Sequence, residues 1–356
     1  MVGETTPKST RAPVLFQTEK GEHLSRVLAR IVRQPPLRYE EACALYLEEI
    51  EKRVHAGLVS RGLIREILEY QLTTGGKRMR AVLPVWVCVN LGGEAEAAFD
   101  FAVALELLHN ASVVLDDIED GDHVRRGRPA VWSQWGTSHA ITAGTTLIFE
   151  ALVSLGRARS MASVLGAMAT DLVRLTEGQT MDVQLAAGAL APSRSTWMDM
   201  ARGKTGMFFS TCLRAGVAAA HGDDAELIEA AATYGADIGL LFQVQDDLLD
   251  LTGNKGRDLR GADLIEGKPS FPMLWAYEHA SLAALAPLQE VMHLPREQRT
   301  PEKVAAAVDV LHAVGAVDAT ARWLGDAKRA VERHPLTRAL PGWAERILAP
   351  VAHCLP

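Results

Sequence analysis

Apolar residues recur every three or four positions along most of this chain, the period of a helix with one face turned inward. The run LRYEEACALYLEEIEKRVHAG has that spacing and meets a stop at Gly57. The stretches 95–120, 161–186, 204–222, 225–253, 271–285 and 302–334 follow the same rule, separated by short breaks rich in Gly, Pro or Asp. Residues 102–115 are apolar nearly all round, which marks a central helix surrounded by others. No segment alternates apolar and polar residues for more than a few positions, and no fixed repeat marks a solenoid. The pattern predicts an all-α fold. A mobile tail over residues 1–35, ending in a short helix, precedes a single helical domain over 36–356.

Composition narrows the function. Hydrophobic residues make up 48% and charged residues 23%, the balance of a soluble globular protein. A net charge of -7 supplies no general basic field, so nucleic acid and anionic membrane surfaces are not expected partners. A phosphorylated ligand would need local positive charge, which makes basic clusters informative. The cysteines, Cys43, Cys88, Cys212 and Cys354, lie far apart and read as small buried thiols in a reduced, cytoplasmic setting. The N-terminus has no signal-peptide core, and no continuous apolar run of about 18 residues predicts a transmembrane segment.

Two acidic clusters stand out, Asp116-Asp117-Ile118-Glu119-Asp120 and Asp246-Asp247-Leu248-Leu249-Asp250, each following a long apolar run. Residues four apart share a helix face, so Asp116 with Asp120, and Asp246 with Asp250, can grip one site each. Carboxylates packed this closely repel, and a divalent cation relieves the repulsion. Mg²⁺ fits: it takes one or two carboxylates, keeps waters and completes its shell with phosphate oxygens. A solvated acidic face would not follow VALELLHNASVVL or IGLLFQV, and the spacing is not that of an EF-hand.

The basic groups match a diphosphate. Gly75-Gly76-Lys77-Arg78-Met79-Arg80 combines paired glycines, a helix start and two bases three apart, Lys77 and Arg80. Arg125 and Arg126 follow the first acidic cluster, and His109 lies seven residues before Asp116 on nearly the same face. Lys204-Thr205-Gly206 opens an apolar helix, Gln243 precedes Asp246 by three residues, and Lys268 follows an acidic stretch. Together these supply cations for a leaving pyrophosphate.

GGKRMR, ELLHNASVVLDDIEDGDHVRRGRPAVW, EGQTMD, KTG, FQVQDDLLDLTG and DLIEGKPSFP resemble, in order and approximate spacing, the motifs of the trans-isoprenyl diphosphate synthases, or polyprenyl synthetases. The resemblance covers roughly residues 39–335. It implies roughly ten to thirteen helices around a central cavity, commonly in a homodimer. It also implies about three Mg²⁺ ions per site, held on the allylic diphosphate by Asp116, Asp117, Asp120, Asp246, Asp247 and Asp250. Arg125, Lys204 and Lys268 would contact that diphosphate; Gly76, Lys77, Arg80, His109 and Arg126 would bind isopentenyl diphosphate; Thr205 and Gln243 would lie near the allylic carbon. The implied reaction condenses isopentenyl diphosphate with dimethylallyl, geranyl or farnesyl diphosphate and releases pyrophosphate.

Members that stop early place bulky aromatics four or five residues before the first Asp, where this chain has Ser112 and Ala111. With Leu108 and Ala104 these line a stripe above Asp116, and Phe149 or Met168 from neighbouring helices can add to a floor. The expected product is C20 geranylgeranyl diphosphate, with farnesyl diphosphate or C25 and longer chains as alternatives. The chain departs from the family at Gly144-Thr145, in the segment holding Lys255 and Arg257, and in a longer C-terminal stretch with no assigned role. Two rivals are a class I terpene cyclase, which has no use for a second diphosphate site, and a non-catalytic synthase subunit, which usually lacks the acidic clusters.

Overall fold

Helix after helix forms where the apolar spacing requires it. The computed structural model describes residues 18–76, 78–253 and 260–355. In chain order the helices begin with α1 (Thr18–Ile31), α2 (Tyr39–Gly57), α3 (Gly62–Leu72), α4 (Met79–Asn90), α5 (Ala95–Glu119) and α6 (Val131–Trp135). They continue with α7 (Thr137–Leu155), α8 (Met161–Ala186), α9 (Arg194–Ala201), α10 (Met207–His221), α11 (Ala225–Thr252) and α12 (Ala262–Glu266). The last are α13 (Phe271–His279), α14 (Ala286–His293), α15 (Pro301–Ala313), α16 (Ala316–Glu332) and α17 (Trp343–Leu348). Side-chain caps fix two of the starts: Ser193 accepts from Thr196 N before α9, and Asp224 from Leu227 N before α11.

The fold is all-α, and one continuous hydrophobic core runs through it. α4 lies between α5 and α10, and α10 packs in turn on α8 and α11. α7 runs antiparallel along α5: Ser154 donates to the Asp100 carbonyl at one end, and Gly144 abuts Leu115 at the other. α1 docks into the core through Leu24 and Leu28, followed by Val32 just past its end. The stretch 302–334, read as a single helical run, is two helices bent by 60°. Gly315 makes the break with a φ of 77°, a left-handed conformation open to glycine at no steric cost.

Two short strands, β1 (Val124–Arg125) and β2 (Arg128–Pro129), form a hairpin after α5. Its central residues, Arg126 and Gly127, both have positive φ (54° and 75°), as a tight two-residue hairpin turn of the primed type requires. From this turn Arg125 reaches back to Asp117 and Arg126 lies against Gly76.

By length and composition two helices, α5 and α7, are apolar enough to cross a membrane, against the expectation of none. For α5 the apolar surface goes into the core, where 78% of the span is buried. In α7 only 44% is buried, and its outer face exposes Ile141, Ile148, Phe149 and Leu152.

Candidate active site

Both acidic clusters open onto one cavity of about 1210 Å³, shared with Arg125, Arg126, Asp182, Lys204, Gln243 and Lys268. Asp116 and Asp120 reach it from the end of α5, and Asp246 and Asp247 from the last turns of α11. Asp117 and Asp250 do not line it. Asp117 is 1% exposed and accepts from Arg125 Nε at 2.7 Å, while its Oδ2 is buried with no hydrogen-bond partner. Asp250 turns toward the start of α12, where it accepts from Asp263 N.

Electrostatics make this site receptive to a cation. The Asp116 carboxyl is pushed up to about 6, first by burial and then by Asp120 and Glu119, against the pull of Lys204 and Lys268. Burial likewise raises Asp117, opposed by Arg125. Among the described residues no three carboxylates or imidazoles converge tightly enough to enclose an ion unaided. Hard oxygen donors around an open cavity, Asp116, Asp120 and Asp246 among them, fit Mg²⁺ that completes its shell with water and phosphate.

The cations are already engaged with these acids. Lys204 Nζ lies 2.7 Å from Asp182, and Lys268 Nζ lies 2.7 Å from Asp120 and 3.3 Å from Glu266. Burial works against both ammonium charges, yet Asp116 and Asp182 hold Lys204 above the usual lysine value. Glu266, Asp182 and Asp120 do the same for Lys268. Arg125 pairs with Asp117 and Asp122. A diphosphate entering the cavity meets cations that need only exchange one anionic partner for another.

Lys204 and Thr205 stand in a π-helical segment, Arg202–Gly206, where a helix start was read. Glycines explain how it fits. A Cβ on Gly239 of α11 would lie 2.5 Å from Gly206 Cα, and one on Gly178 of α8 would lie 2.7 Å from Gly203 C. Three backbones therefore touch around Lys204. Arg202, half-buried, pairs with the buried Asp237 at 3.0 Å and ties the segment to α11. Thr205 Oγ1 donates to Gln243 Oε1 at 2.8 Å, Gln243 Nε2 donates to Asp247 at 3.2 Å, and Asp247 accepts from Phe271 N at 2.8 Å. That relay fixes which face of the Gln243 amide meets the cavity.

A second group of cations gathers at the base of α4. Arg80 is half-buried over the rings of Phe208 and Phe209, 5.1 and 5.5 Å from their centroids, and its buried Nε has no hydrogen-bond partner. A Cβ on Gly76 would lie 2.6 Å from the Arg126 guanidinium, so glycine there lets the loop and the hairpin meet. His109 makes an edge contact with Phe208 and is held well below its ordinary pKa, first by burial and then by Arg80 and Arg126. It is a neutral donor or acceptor at pH 7. Lys77, Lys255 and Arg257 lie outside the described residues.

On the proposed chain-length stripe, Ala104 and Ala111 are fully buried, whereas Leu108 and Ser112 are half-buried. At 100° per residue Ala111 lies about 140° round α5 from Asp116, but Ser112 only about 40°. Ser112 therefore shares the Asp116 face. Met168 is buried, but Phe149 is 60% exposed on the outside of α7 and does not line the interior. Thr145 is exposed and bonds its own helix, and Gly144 makes room for Leu115, the neighbour of Asp116.

Sequence reasoning missed Asp182, Glu266 and Asp122, each a partner of a cavity cation. Asp182 had a signal: in EGQTMD it stands one helical turn after Gly178, on the face that touches the π-helical segment. The C-terminal stretch also joins the site. Trp343 packs on Tyr39 and Trp86, and Pro350 and His353 of the following 3₁₀ turn (Ala349–Cys354) line the cavity.

The description "Polyprenyl synthetase" belongs to the family whose profile matches residues 61–311. The chain is 31% identical over 281 residues to the short chain isoprenyl diphosphate synthase of Methanothermobacter thermautotrophicus, covering 77% of this chain and 84% of the relative. It is 30% identical over 256 residues to the geranylgeranyl diphosphate synthase of Methanosarcina mazei, covering 70% and 76%. Among solved structures, geranylgeranyl pyrophosphate synthetase from Pyrococcus horikoshii superposes with a TM-score of 0.75 at 27% identity, covering 92% of this chain and 99% of that one.

Proposed function

This chain belongs to the polyprenyl synthetase family, and from that premise we propose that it condenses isopentenyl diphosphate with an allylic diphosphate to yield C20 geranylgeranyl diphosphate. It is a prenyltransferase of the isoprenyl diphosphate synthase type. The observation that carries the proposal is the meeting of both acidic clusters with Arg125, Lys204 and Lys268 in one cavity, beside a second set of cations at the base of α4. Two diphosphates need two such sets.

We assign Asp116, Asp120 and Asp246 to holding Mg²⁺, with Asp117, Asp247 and Asp250 anchoring the surrounding helices. When bound, Mg²⁺ neutralises charge on the allylic diphosphate and on its leaving group. Breaking the allylic C–O bond puts negative charge on pyrophosphate and positive charge on carbon. Lys204, Lys268 and Arg125 stabilise the first by turning from their carboxylate partners. Thr205 and Gln243, locked by their relay, sit beside the second. Arg80, Arg126 and the neutral His109 hold isopentenyl diphosphate while its alkene attacks that carbon. The new C–C bond forms, a proton leaves to pyrophosphate, and the double bond is restored.

The C20 length draws support from the small Ser112 on the Asp116 face and from relatives named for geranylgeranyl diphosphate. We further propose a homodimer through the apolar outer face of α7, and a cytoplasmic setting, in keeping with four cysteines that form no disulfide.

The test incubates the protein with Mg²⁺, labelled isopentenyl diphosphate and dimethylallyl, geranyl or farnesyl diphosphate in turn. The expected outcome is a C20 diphosphate, with turnover lost to a chelator and restored by Mg²⁺. A cyclic hydrocarbon, or no consumption of any starter, would overturn the reading in favour of a cyclase or a silent subunit.

A further inference from the structure

The loop carrying Gly75 and Gly76 enters α4 through Arg78, whose φ of 45° is left-handed, a conformation that non-glycine residues adopt at a cost. Such a residue persists where its surroundings over-determine it. Here they do so through the side chain. The Arg78 guanidinium is 8% exposed, and its three nitrogens point to three elements. Nη1 donates to Glu106 Oε1 on α5 at 2.6 Å, Nη2 to the Leu72 carbonyl at the end of α3, and Nε to Glu51 on α2 at 3.4 Å.

Glu106 is the other half of the device. It is 2% exposed and lies ten residues before Asp116 on the same helix. Its Oε1 also accepts from Asn110 Nδ2 at 2.9 Å, and Asn110 Oδ1 accepts from Gln71 on α3 at 3.2 Å. A buried carboxylate paired and hydrogen-bonded in this way is costly to build and costly to break. Its charge also acts on Arg80 and Arg126, the two cations that close over Gly76 and the Phe208 ring. Neither Arg78 nor Glu106 lines the cavity.

We infer that Arg78 and Glu106 are positioning residues for isopentenyl diphosphate: the buried pair holds Arg78 in its left-handed conformation at the entry to α4 and keeps Arg80 and Arg126 together beneath one anion. The inference rests on the reading that this second cation group takes the isopentenyl diphosphate. Without a counter-charge, two half-desolvated arginines repel and part. Without the three-way fork, the loop loses the contacts that set its conformation. The allylic site, held by the π-helical segment and α11, is tied down by other bonds.

Two variants separate the parts. Glu106→Gln keeps the hydrogen-bonding shape and removes the charge; Arg78→Gly keeps φ near 45° at no steric cost and removes the fork. Both are expected to raise KM for isopentenyl diphosphate about tenfold or more, with kcat and the farnesyl diphosphate KM within about threefold; tenfold corresponds to about 1.4 kcal/mol. Circular dichroism and thermal melting are read alongside. If both KM values rise together in step with a lowered melting point, if neither moves, or if both variants fail to fold, the pair is a structural tie and the inference is overturned. Should Glu106→Gln alone fail to fold, Arg78→Gly decides. An inactive wild type removes the functional reading and this inference together; an active wild type with unchanged isopentenyl KM in the variants removes the inference alone.

Discussion

Replacing Gly239 with alanine tests the claim that backbone contact positions the catalytic lysine. The new Cβ would start 2.5 Å from Gly206 Cα, 2.9 Å from Gly206 N and 3.0 Å from Thr205 O, all backbone atoms with no rotamer to yield. Ordinary contact begins at 3.4 Å, so α11 and the π-helical segment must part by about 0.9 Å. Overpacking of that kind costs about 1–3 kcal/mol. The same movement stretches the 2.8 Å Thr205–Gln243 bond and shifts Lys204 relative to Asp246. A misplacement of about 1 Å at reacting groups lowers rates by up to about 10²-fold. Urea unfolding and kcat at saturating concentrations of both substrates measure the two effects separately. Gly166, on α8 with nothing within 4 Å of its ideal Cβ, is the control: alanine there should leave kcat alone and stabilise by about 0.5–1 kcal/mol. If Gly239→Ala loses the expected stability but keeps kcat within about threefold, the glycines serve packing only and the positioning argument is wrong.

Three further outcomes follow from the geometry. Ser112→Phe, which projects into the face that carries Asp116, should shorten the main product by one isoprene unit, whereas Ala111→Phe, at a fully buried position, should chiefly cost about 1–3 kcal/mol; product mass and melting temperature tell them apart. His334 is 5% exposed, stacks on Tyr234, accepts from Leu336 N, and is held by burial at about 4 against an ordinary 6.5. Between those values the unfolded chain binds the extra proton, so stability rises with pH across that window and levels off above it. The group should remove about 3 kcal/mol on acidification from pH 6.5 to 4, a slope that His334→Asn flattens in urea titrations. Phe149→Glu, which places a charge on the exposed face of α7, should convert a dimer to monomer by light scattering while leaving the far-ultraviolet spectrum intact; a wild type that is already monomeric counts against the dimer.

Much of the fold was legible because helices announce themselves locally. The stretches 95–120, 161–186 and 225–253 became α5, α8 and α11 within a residue or so, and the spacing of Asp116 and Asp120 was enough to put both in the cavity. What failed to show was whatever depends on distant backbone. Nothing in LTGNKGRDLRGADL or its surroundings announces that Asp250 is drawn to Asp263 N and away from Asp246. KTG reads as a helix start, since only the approach of Gly178 and Gly239 accounts for a π-helical segment there. Glu106 reads as one polar residue in an apolar helix until its partner 28 positions earlier is placed beside it. The Arg126-Gly127 turn was hidden for another reason: arginine is an unusual occupant of a left-handed turn position, so RRG reads as charge before it reads as geometry.

The contact between Trp343 and Tyr39 bears on how the chain is made. Tyr39 and Trp86 meet the Trp343 ring at 4.9 and 5.3 Å, and Asn90 donates to the carbonyl of Ala339, 249 positions away. The chain as far as Trp343 must leave the ribosome before those aromatic faces and that buried amide are satisfied. Until then α2 and α4 present an open apolar seam, the kind of surface that chaperones hold and that aggregation exploits. The packing of Trp343 that closes the seam also brings Pro350 and His353 to the lining of the cavity. The wall of the cavity is thereby finished only after the seam between α2 and α4 is covered.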